Sequence, residues 1–264
     1  MNLENICNEV CVLAKEVGAF IINERKSNKN IHVETKGLHD FVTYVDKTSE
    51  QKIVNGLLQI LPEAGFIAEE GTSNKKGEKY NWIIDPLDGT TNFIHGLSPF
   101  AISIALTDKD KIIIGVVYEI SLNECFYAWE NGGAYLNGER IQVSDKKEIK
   151  DSLIATGFPY YDYKRIKPFL LSLEYFMTNS HGVRRLGSAA TDLAYVACGR
   201  FESFYEYSLS PWDVAAGALI VEQAGGKVSD FSGKNNYIYG KEIIASNSAC
   251  YNEFFNIVNQ HMSK

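Results

Sequence analysis

The sequence predicts a layered α/β sandwich, and three observations carry that expectation. Apolar side chains recur at helical spacing through residues 4–24. Residues 99–142 read as β-strands separated by Asn-Gly turns, a pattern of antiparallel hairpins. Beyond about residue 145, strand-like and helix-like segments alternate. Helices that bracket sheets cover the sheet faces, and such packing makes a layered domain. At 264 residues the chain can bury a substantial core.

The first helix lines up Ile6, Val10, Leu13, Ala14, Val17, Phe20 and Ile21, and the polar stretch Arg25 to Asn30 ends it. Strands are expected at 31–35 and 41–45. Asp46 is a natural N-cap for a second helix over 47–61, with Ile53, Leu57, Leu58 and Leu61 inward and Pro62 as its stop. Residues 65–68 form a short strand running into Glu69 and Glu70, and the polar Gly71–Lys79 loop after them is expected to move. Strands follow at Trp82–Ile84, Phe100–Leu106, Ile112–Tyr118 and Glu124–Trp129, with turns at Asn131-Gly132-Gly133 and Asn137-Gly138. In the second half, Leu153–Thr156 precedes a helix near 165–178. Val183–Leu186 precedes a helix from Ser188 to Cys198, and Phe201–Tyr207 precedes one over 211–224, closed by Gly225-Gly226. Two short strands and a helix finish the chain. No linker, repeat or low-complexity tract intervenes, so two halves, 1–144 and 145–264, are expected to pack closely.

A net charge of −7 and a pI near 5.3 argue against a partner recognised by its phosphate backbone, and so against nucleic acid. They suit a carboxylate site filled by cations. The five cysteines, Cys7, Cys11, Cys125, Cys198 and Cys250, are scattered and include no C-x-x-C pair, so free thiols are expected rather than a zinc cluster or disulfide framework. Met-Asn-Leu-Glu-Asn at the N-terminus lacks a signal-peptide pattern, and no apolar run is long enough to span a bilayer. A cytoplasmic protein without membrane contact is expected.

The chemistry concentrates in residues 82–93, Trp-Ile-Ile-Asp-Pro-Leu-Asp-Gly-Thr-Thr-Asn-Phe. An apolar strand delivers Asp85 and Asp88 to a turn, where both are expected at the boundary with solvent. Two acids three residues apart on a turn can converge on one hard cation. The Gly89 and Thr90 amides can then face an anion. A cation beside an anion cradle implies metal-assisted chemistry on a phosphate. Asp-Pro and Asp-Gly are also ordinary turn pairs, but the Gly-Thr-Thr that follows favours ligation. An EF-hand loop is excluded because Gly96 stands where its Glu should be. Ser210-Pro211-Trp212-Asp213 opens a helix as a capping box. Asp213 nevertheless shares a face with Ala216, Gly217, Ile220 and Ala224, and a carboxylate on a closely packed face needs a partner or a metal. Of Glu69 and Glu70, strand alternation turns one inward. The five histidines, His32, His39, His95, His181 and His261, are not spaced as metal ligands, and His95 is expected to pack behind the turn. No Ser-His-Asp arrangement or Walker loop is present.

Three blocks together resemble the inositol monophosphatase family of Mg²⁺-dependent, lithium-sensitive phosphatases: Ile67-Ala68-Glu69-Glu70-Gly71, Asp85-Pro86-Leu87-Asp88-Gly89-Thr90-Thr91-Asn92-Phe93 and Pro211-Trp212-Asp213-Val214-Ala215-Ala216-Gly217. The resemblance spans nearly the whole chain and implies a five-layered αβαβα sandwich. It implies that Glu69, Asp85 and the Leu87 carbonyl hold one Mg²⁺, that Asp85, Asp88 and Asp213 hold a second, and that Glu69 helps hold a third. Most ligands would then lie in the first half, with Asp213 and the substrate contacts in the second. It implies that Thr90, bonded to Asp46, orients the attacking water and that the Gly89 and Thr90 amides bind phosphate. Arg185, Gly187, Ser188, Ala189 and Glu206 match the part that binds the alcohol, and Glu206 leans the expectation toward inositol phosphate. Taken alone, Glu206 reads as a solvated acid at a strand end, and Arg185 as a surface charge. Thr91 and Pro211 depart from the nucleotide-hydrolysing branch of the family. A fructose 1,6-bisphosphatase is the runner-up, with Lys36, Arg185 and Arg200 as cations for a second phosphate. A metal-dependent binding protein without turnover is the reading from a different class. A homodimer is implied by the family.

Overall fold

The computed structural model describes residues 1–27, 33–37, 40–159 and 161–262. His32, His39 and the expected strand start at 31–32 lie outside them. The chain runs α1 (Leu3–Ser27), β1 (Val33–Gly37), β2 (Asp40–Thr43), α2 (Tyr44–Ile60), β3 (Gly65–Ala68), β4 (Tyr80–Asp88) and α3 (Thr90–Ile94). An antiparallel run follows: β5 (Ala101–Asp108), β6 (Lys111–Glu119), β7 (Glu124–Trp129), β8 (Gly133–Leu136) and β9 (Glu139–Ile141). The second half comprises β10 (Leu153–Thr156), α4 (Ile166–Asn179), β11 (Gly182–Arg184), α5 (Ala189–Ala197), β12 (Ser203–Tyr207), α6 (Pro211–Gln223), β13 (Lys227–Ser229), β14 (Glu242–Ser246) and α7 (Tyr251–Met262).

These elements stack in five layers. A seven-stranded sheet has the order β3-β4-β5-β6-β7-β8-β9, antiparallel except for the parallel pair β3–β4. Cys7, Val10, Ala14 and Ile21 of α1, with Ile53 and Leu57 of α2, pack on one face of it around Trp82, Ile84, Ile104 and Val116. Helices α5 and α6 lie between this sheet and a five-stranded one, β11-β10-β12-β14-β13. Every residue from Val214 to Val221 of α6 is buried, because the helix has protein on all sides. Phe169 and Phe176 of α4 and Phe254 and Val258 of α7 cover the outer face of the small sheet around Tyr205.

Two local expectations are corrected. The N-cap of α2 is Thr43, and Asp46 sits one turn in, at N3. Thr43 wins because its short hydroxyl accepts the Val45 N–H at 3.1 Å while Asp46 Oδ2 reaches back to the Thr43 N–H at 2.8 Å, the reciprocal arrangement of a capping box. The turn after Asp88 is itself the start of α3, with Gly89 as N-cap at φ +90°. Only Gly takes that conformation without strain, and a Cβ there would lie 3.0 Å from the Pro99 carbonyl.

Candidate active site

Strand β4 does not stop at Ile84. It continues through Asp88, with a break in register against β5 between Asp85 and Asp88. Both acids stay paired with β5, and the irregularity between them lets both line one cleft at the end of the strand. They lie beside Glu69, just after the neighbouring β3. Across from them, α6 brings Asp213 on its first turn, and α5 brings Ser188 as its N-cap. A cleft of about 250 Å³ results, lined by Glu69, Asp85, Leu87, Asp88, Gly89, Thr90, Arg185, Gly187, Ser188, Ala189, Glu206 and Asp213. The expected metal ligands and the residues expected to bind phosphate and alcohol are therefore all on this wall, while Asp46 stands behind it.

The expectation that both acids of β4 meet solvent is wrong for Asp85. It is only 3% exposed, because the strand carries it into the sheet before the chain turns. Burial, then the charges of Glu69, Asp88 and Asp213, push its carboxyl well above the usual carboxylate range. Burial also raises Asp88, to about 6, against hydrogen bonds that lower it. Asp88 Oδ2 accepts from Ser188 Oγ at 2.7 Å and from the Ala190 N–H at 2.8 Å. Asp213 Oδ2 accepts from the Ser210 N–H at 2.7 Å, closing the capping box the sequence predicted. Asp85 Oδ1 accepts from the Leu87 N–H at 2.9 Å. These bonds hold the acids around the cleft. Among the described residues no three of them already meet as a closed cage. The donor set is all oxygen, and its acids disfavour each other's charge, so it suits a hard cation.

Behind the acids, Asp46 is buried, and burial raises its pKa against the hydrogen bonds that lower it. Thr90 Oγ1 lies 3.0 Å from Asp46 Oδ1 and 2.9 Å from the Leu87 carbonyl, and its single proton can serve one of them at a time.

On the alcohol side, Glu206 is 5% exposed, not a solvated strand end. Burial raises it to about 8, against the lowering charge of Arg185. Its carboxyl packs directly on the Gly157 backbone, where a Cβ would come within 2.0 Å of it. Arg185 is half-buried in the cleft wall and is no surface charge. Arg200 points elsewhere: it pairs with Glu124 through two 2.6 Å bonds and is absent from the cleft lining. The Lys36 side chain lies outside the described residues. His95 caps the C-terminus of α3 and is exposed. All five cysteines are free thiols.

The sequence did not point to Gly157, Tyr161 or Ser208, which also line the cleft. Nor did it point to Glu50, whose buried carboxylate accepts the Glu70 N–H at 2.7 Å and the Thr72 N–H at 2.8 Å. That pair ties the start of the loop expected to move. The helical stripe of α2 gave one available signal: Glu50 stands one turn before Ile53 and Val54, on the buried side.

Comparison with known proteins agrees with this geometry. A protein of Pseudomonas aeruginosa named Nus factor SuhB is 40% identical over 254 residues, 94% of this chain and 94% of its own. An inositol-1-monophosphatase of Mesorhizobium japonicum is 37% identical over 259 residues, 98% of this chain and 97% of its own. The crystal structure of the extragenic suppressor protein suhB from Bartonella henselae superposes with a TM-score of 0.91 at 38% identity, covering 97% of this chain and 98% of that one. The model of the inositol monophosphatase family matches residues 2–263, and the chain belongs to that family.

Proposed function

We propose that this protein is a Mg²⁺-dependent phosphomonoester hydrolase whose preferred substrate is inositol 1-phosphate. The observation that carries the reading is one cleft walled by Glu69, Asp85, Asp88 and Asp213, with the Thr90–Asp46 pair on one side and Glu206 on the other. Glu69, Asp85, the Leu87 carbonyl, Asp88 and Asp213 would hold two or three Mg²⁺ ions. Bound there, Mg²⁺ supplies Lewis acidity, easing loss of a proton from water and offsetting charge on the phosphoryl and leaving oxygens.

The chain's own groups do the positioning. With the Leu87 carbonyl engaged as a ligand, the Thr90 proton goes to Asp46, so the lone pairs of Oγ1 are left to accept from a water and aim it at phosphorus. The Gly89 and Thr90 amides bind phosphate oxygens. Glu206 keeps its proton up to about pH 8, so its carboxyl both donates to and accepts from ring hydroxyls. Arg185, Gly187, Ser188 and Ala189 complete the alcohol side.

Phosphate release from inositol 1-phosphate, glycerol 2-phosphate, fructose 1,6-bisphosphate and NADP⁺, with Mg²⁺ and with added Li⁺, tests the reading. Release led by inositol 1-phosphate, dependent on Mg²⁺ and inhibited by Li⁺, is expected. Release led by fructose 1,6-bisphosphate would replace the substrate, although Arg200 gives that alternative no help. Ca²⁺ should inhibit, and turnover with Ca²⁺ at Mg²⁺-like rates would sink the metal assignment.

The relative named Nus factor carries a second reading, in which the protein works through a partner as well as, or in place of, hydrolysis. Asp88→Asn separates the two, since hydrolysis must fail while a partner function can persist. We expect a homodimer in the cytoplasm. No helix of the described residues is long and apolar enough to cross a membrane.

A further inference from the structure

We propose that Ser208 is a specificity residue for the alcohol: its hydroxyl hydrogen-bonds a hydroxyl group of a polyol monophosphate, a different one from that met by Glu206. The inference rests on the phosphatase reading and adds to it a residue that sets which alcohols are preferred.

Ser208 is the first residue after β12, and with Leu209 it joins that strand to Ser210, the N-cap of α6. It lines the cleft together with Glu206 and Asp213. Its backbone is left-handed, at φ +72°. A residue with a Cβ is disfavoured there, and glycine, or asparagine with its short amide, is the usual occupant. Asn123, Asn131 and Asn137 take that conformation in the hairpin turns of this chain. The surrounding structure holds Ser208 to it. The Lys241 carbonyl accepts the Ser208 N–H at 2.7 Å and the Leu209 N–H at 3.3 Å. Lys241 is itself left-handed at φ +63° and immediately precedes β14, whose Glu242 pairs with Tyr207. Backbone strain that the fold holds in place concentrates where a side chain is needed for function.

The turn uses the backbone of Ser208 and leaves its hydroxyl unused. Among the described residues no hydrogen bond engages Ser208 Oγ, and the side chain is half-buried in the cleft wall rather than enclosed. The other serines of the cleft are committed. Ser188 Oγ donates to Asp88 at 2.7 Å, and Ser210 serves the capping box of α6. A hydroxyl both donates and accepts, as the hydroxyls of a polyol do, so the two can pair in either sense, whereas Arg185 can only donate. Glu206 and Ser208 stand two residues apart at the end of one strand, so they meet different groups of one alcohol. An alcohol without hydroxyl groups would take water from Ser208 and return no partner, which is unfavourable.

The test compares kcat/KM for inositol 1-phosphate and for cyclohexyl phosphate, the same ring without hydroxyls, in wild type, Ser208→Ala and Ser208→Gly with Mg²⁺. Ser208→Ala removes the hydroxyl alone, and Ser208→Gly removes the hydroxyl and the backbone strain. The preference for inositol 1-phosphate should fall about three- to tenfold in both, mainly through KM. The melting temperature of Ser208→Gly should equal or exceed that of the wild type. Undiminished stability with poorer discrimination is a pairing that a structural role alone does not produce. An unchanged preference in Ser208→Ala would overturn the proposal. So would a loss confined to Ser208→Gly, since the backbone rather than the hydroxyl would then set it. If inositol 1-phosphate alone is turned over, its KM in Ser208→Ala decides in the same way. If neither ester is hydrolysed, the phosphatase reading fails, and calorimetric binding of inositol 1-phosphate to wild type and Ser208→Ala still decides the role of Ser208. Weaker binding by the variant supports it, and equal or absent binding rejects it.

Discussion

A single hydroxyl carries the aiming of water. Thr90 Oγ1 has one proton and two acceptors within 3.0 Å, Asp46 and the Leu87 carbonyl. Thr90→Val keeps the shape and removes the donor, so kcat should fall by about 100-fold or more with the Mg²⁺ requirement little changed. A variant that loses Mg²⁺ affinity and keeps kcat would show that Thr90 only supports the ligands. Glu206→Gln keeps volume and hydrogen bonding but fixes which end donates. KM for inositol 1-phosphate should rise while KM for glycerol 2-phosphate holds, and parallel changes in both would deny Glu206 a role with ring hydroxyls. Asp85, Asp88 and Thr90 were legible in the sequence because they are contiguous and their spacing is itself the signal. Glu206 and Arg185 were legible only through family resemblance. Taken alone they look like solvated charges, and what buries them, such as Gly157 against Glu206, arrives from distant parts of the chain. Asp46 was misplaced by one turn because Thr43 competes as a cap, and capping residues look alike from sequence.

Helix α6 transmits packing to the site. A Cβ on Gly217 would lie 2.5 Å from Leu193 Cβ of α5, and one on Gly115 of β6 would lie 2.5 Å from the Ala216 carbonyl. Gly217→Ala should thus cost about 1–3 kcal/mol of stability and also weaken activation by Mg²⁺, because Asp213 rides on the same helix. Thermal melting and a Mg²⁺ titration of activity check both parts, and a stability loss with unchanged Mg²⁺ dependence would uncouple the helix from the site. The segment after Glu69 is a second such coupling. Glu50→Ala removes the acceptor for the Glu70 and Thr72 amides, so the Mg²⁺ needed for half-maximal activity should rise, and an unchanged requirement would mean the loop has no part in holding metal. Most elements could be read from sequence, since α1 and α2 carry apolar residues at helical spacing, α6 opens on a Ser-Pro-Trp-Asp capping box, and the hairpins of 101–141 are punctuated by Asn-Gly turns. The short helix α3 could not be read, because five residues hold too little period to register.

Across the whole molecule, the acids of the cleft oppose folding when they are charged. The fold raises Asp88 to about 6 and Glu206 to about 8, and raises Asp85 in the same direction. Each keeps its proton in the fold at a pH where the unfolded chain has lost it. Their contribution is therefore intact below the ordinary carboxylate range and is lost as pH rises toward about 8. In chelator, the melting temperature should be higher near pH 5 than near pH 8, and saturating Mg²⁺ should narrow the gap by binding only the folded form. A gap that Mg²⁺ leaves untouched would remove the acids from cation binding. A layered α/β packing was legible as helices bracketing sheets and the five-layer order only through family resemblance, while the meeting of Glu69, Asp85, Asp88 and Asp213 depends on α5 and α6 lying between the two sheets, which no local pattern encodes. The decisive measurement is phosphate release from inositol 1-phosphate as Mg²⁺ is titrated, in wild type and in folded Asp88→Asn. Release that is absent in chelator, rises with Mg²⁺ in the wild type and is lost in the variant is predicted. Release that survives chelation, or an Asp88→Asn protein as active as wild type, would contradict a metal-dependent phosphatase built on this cleft.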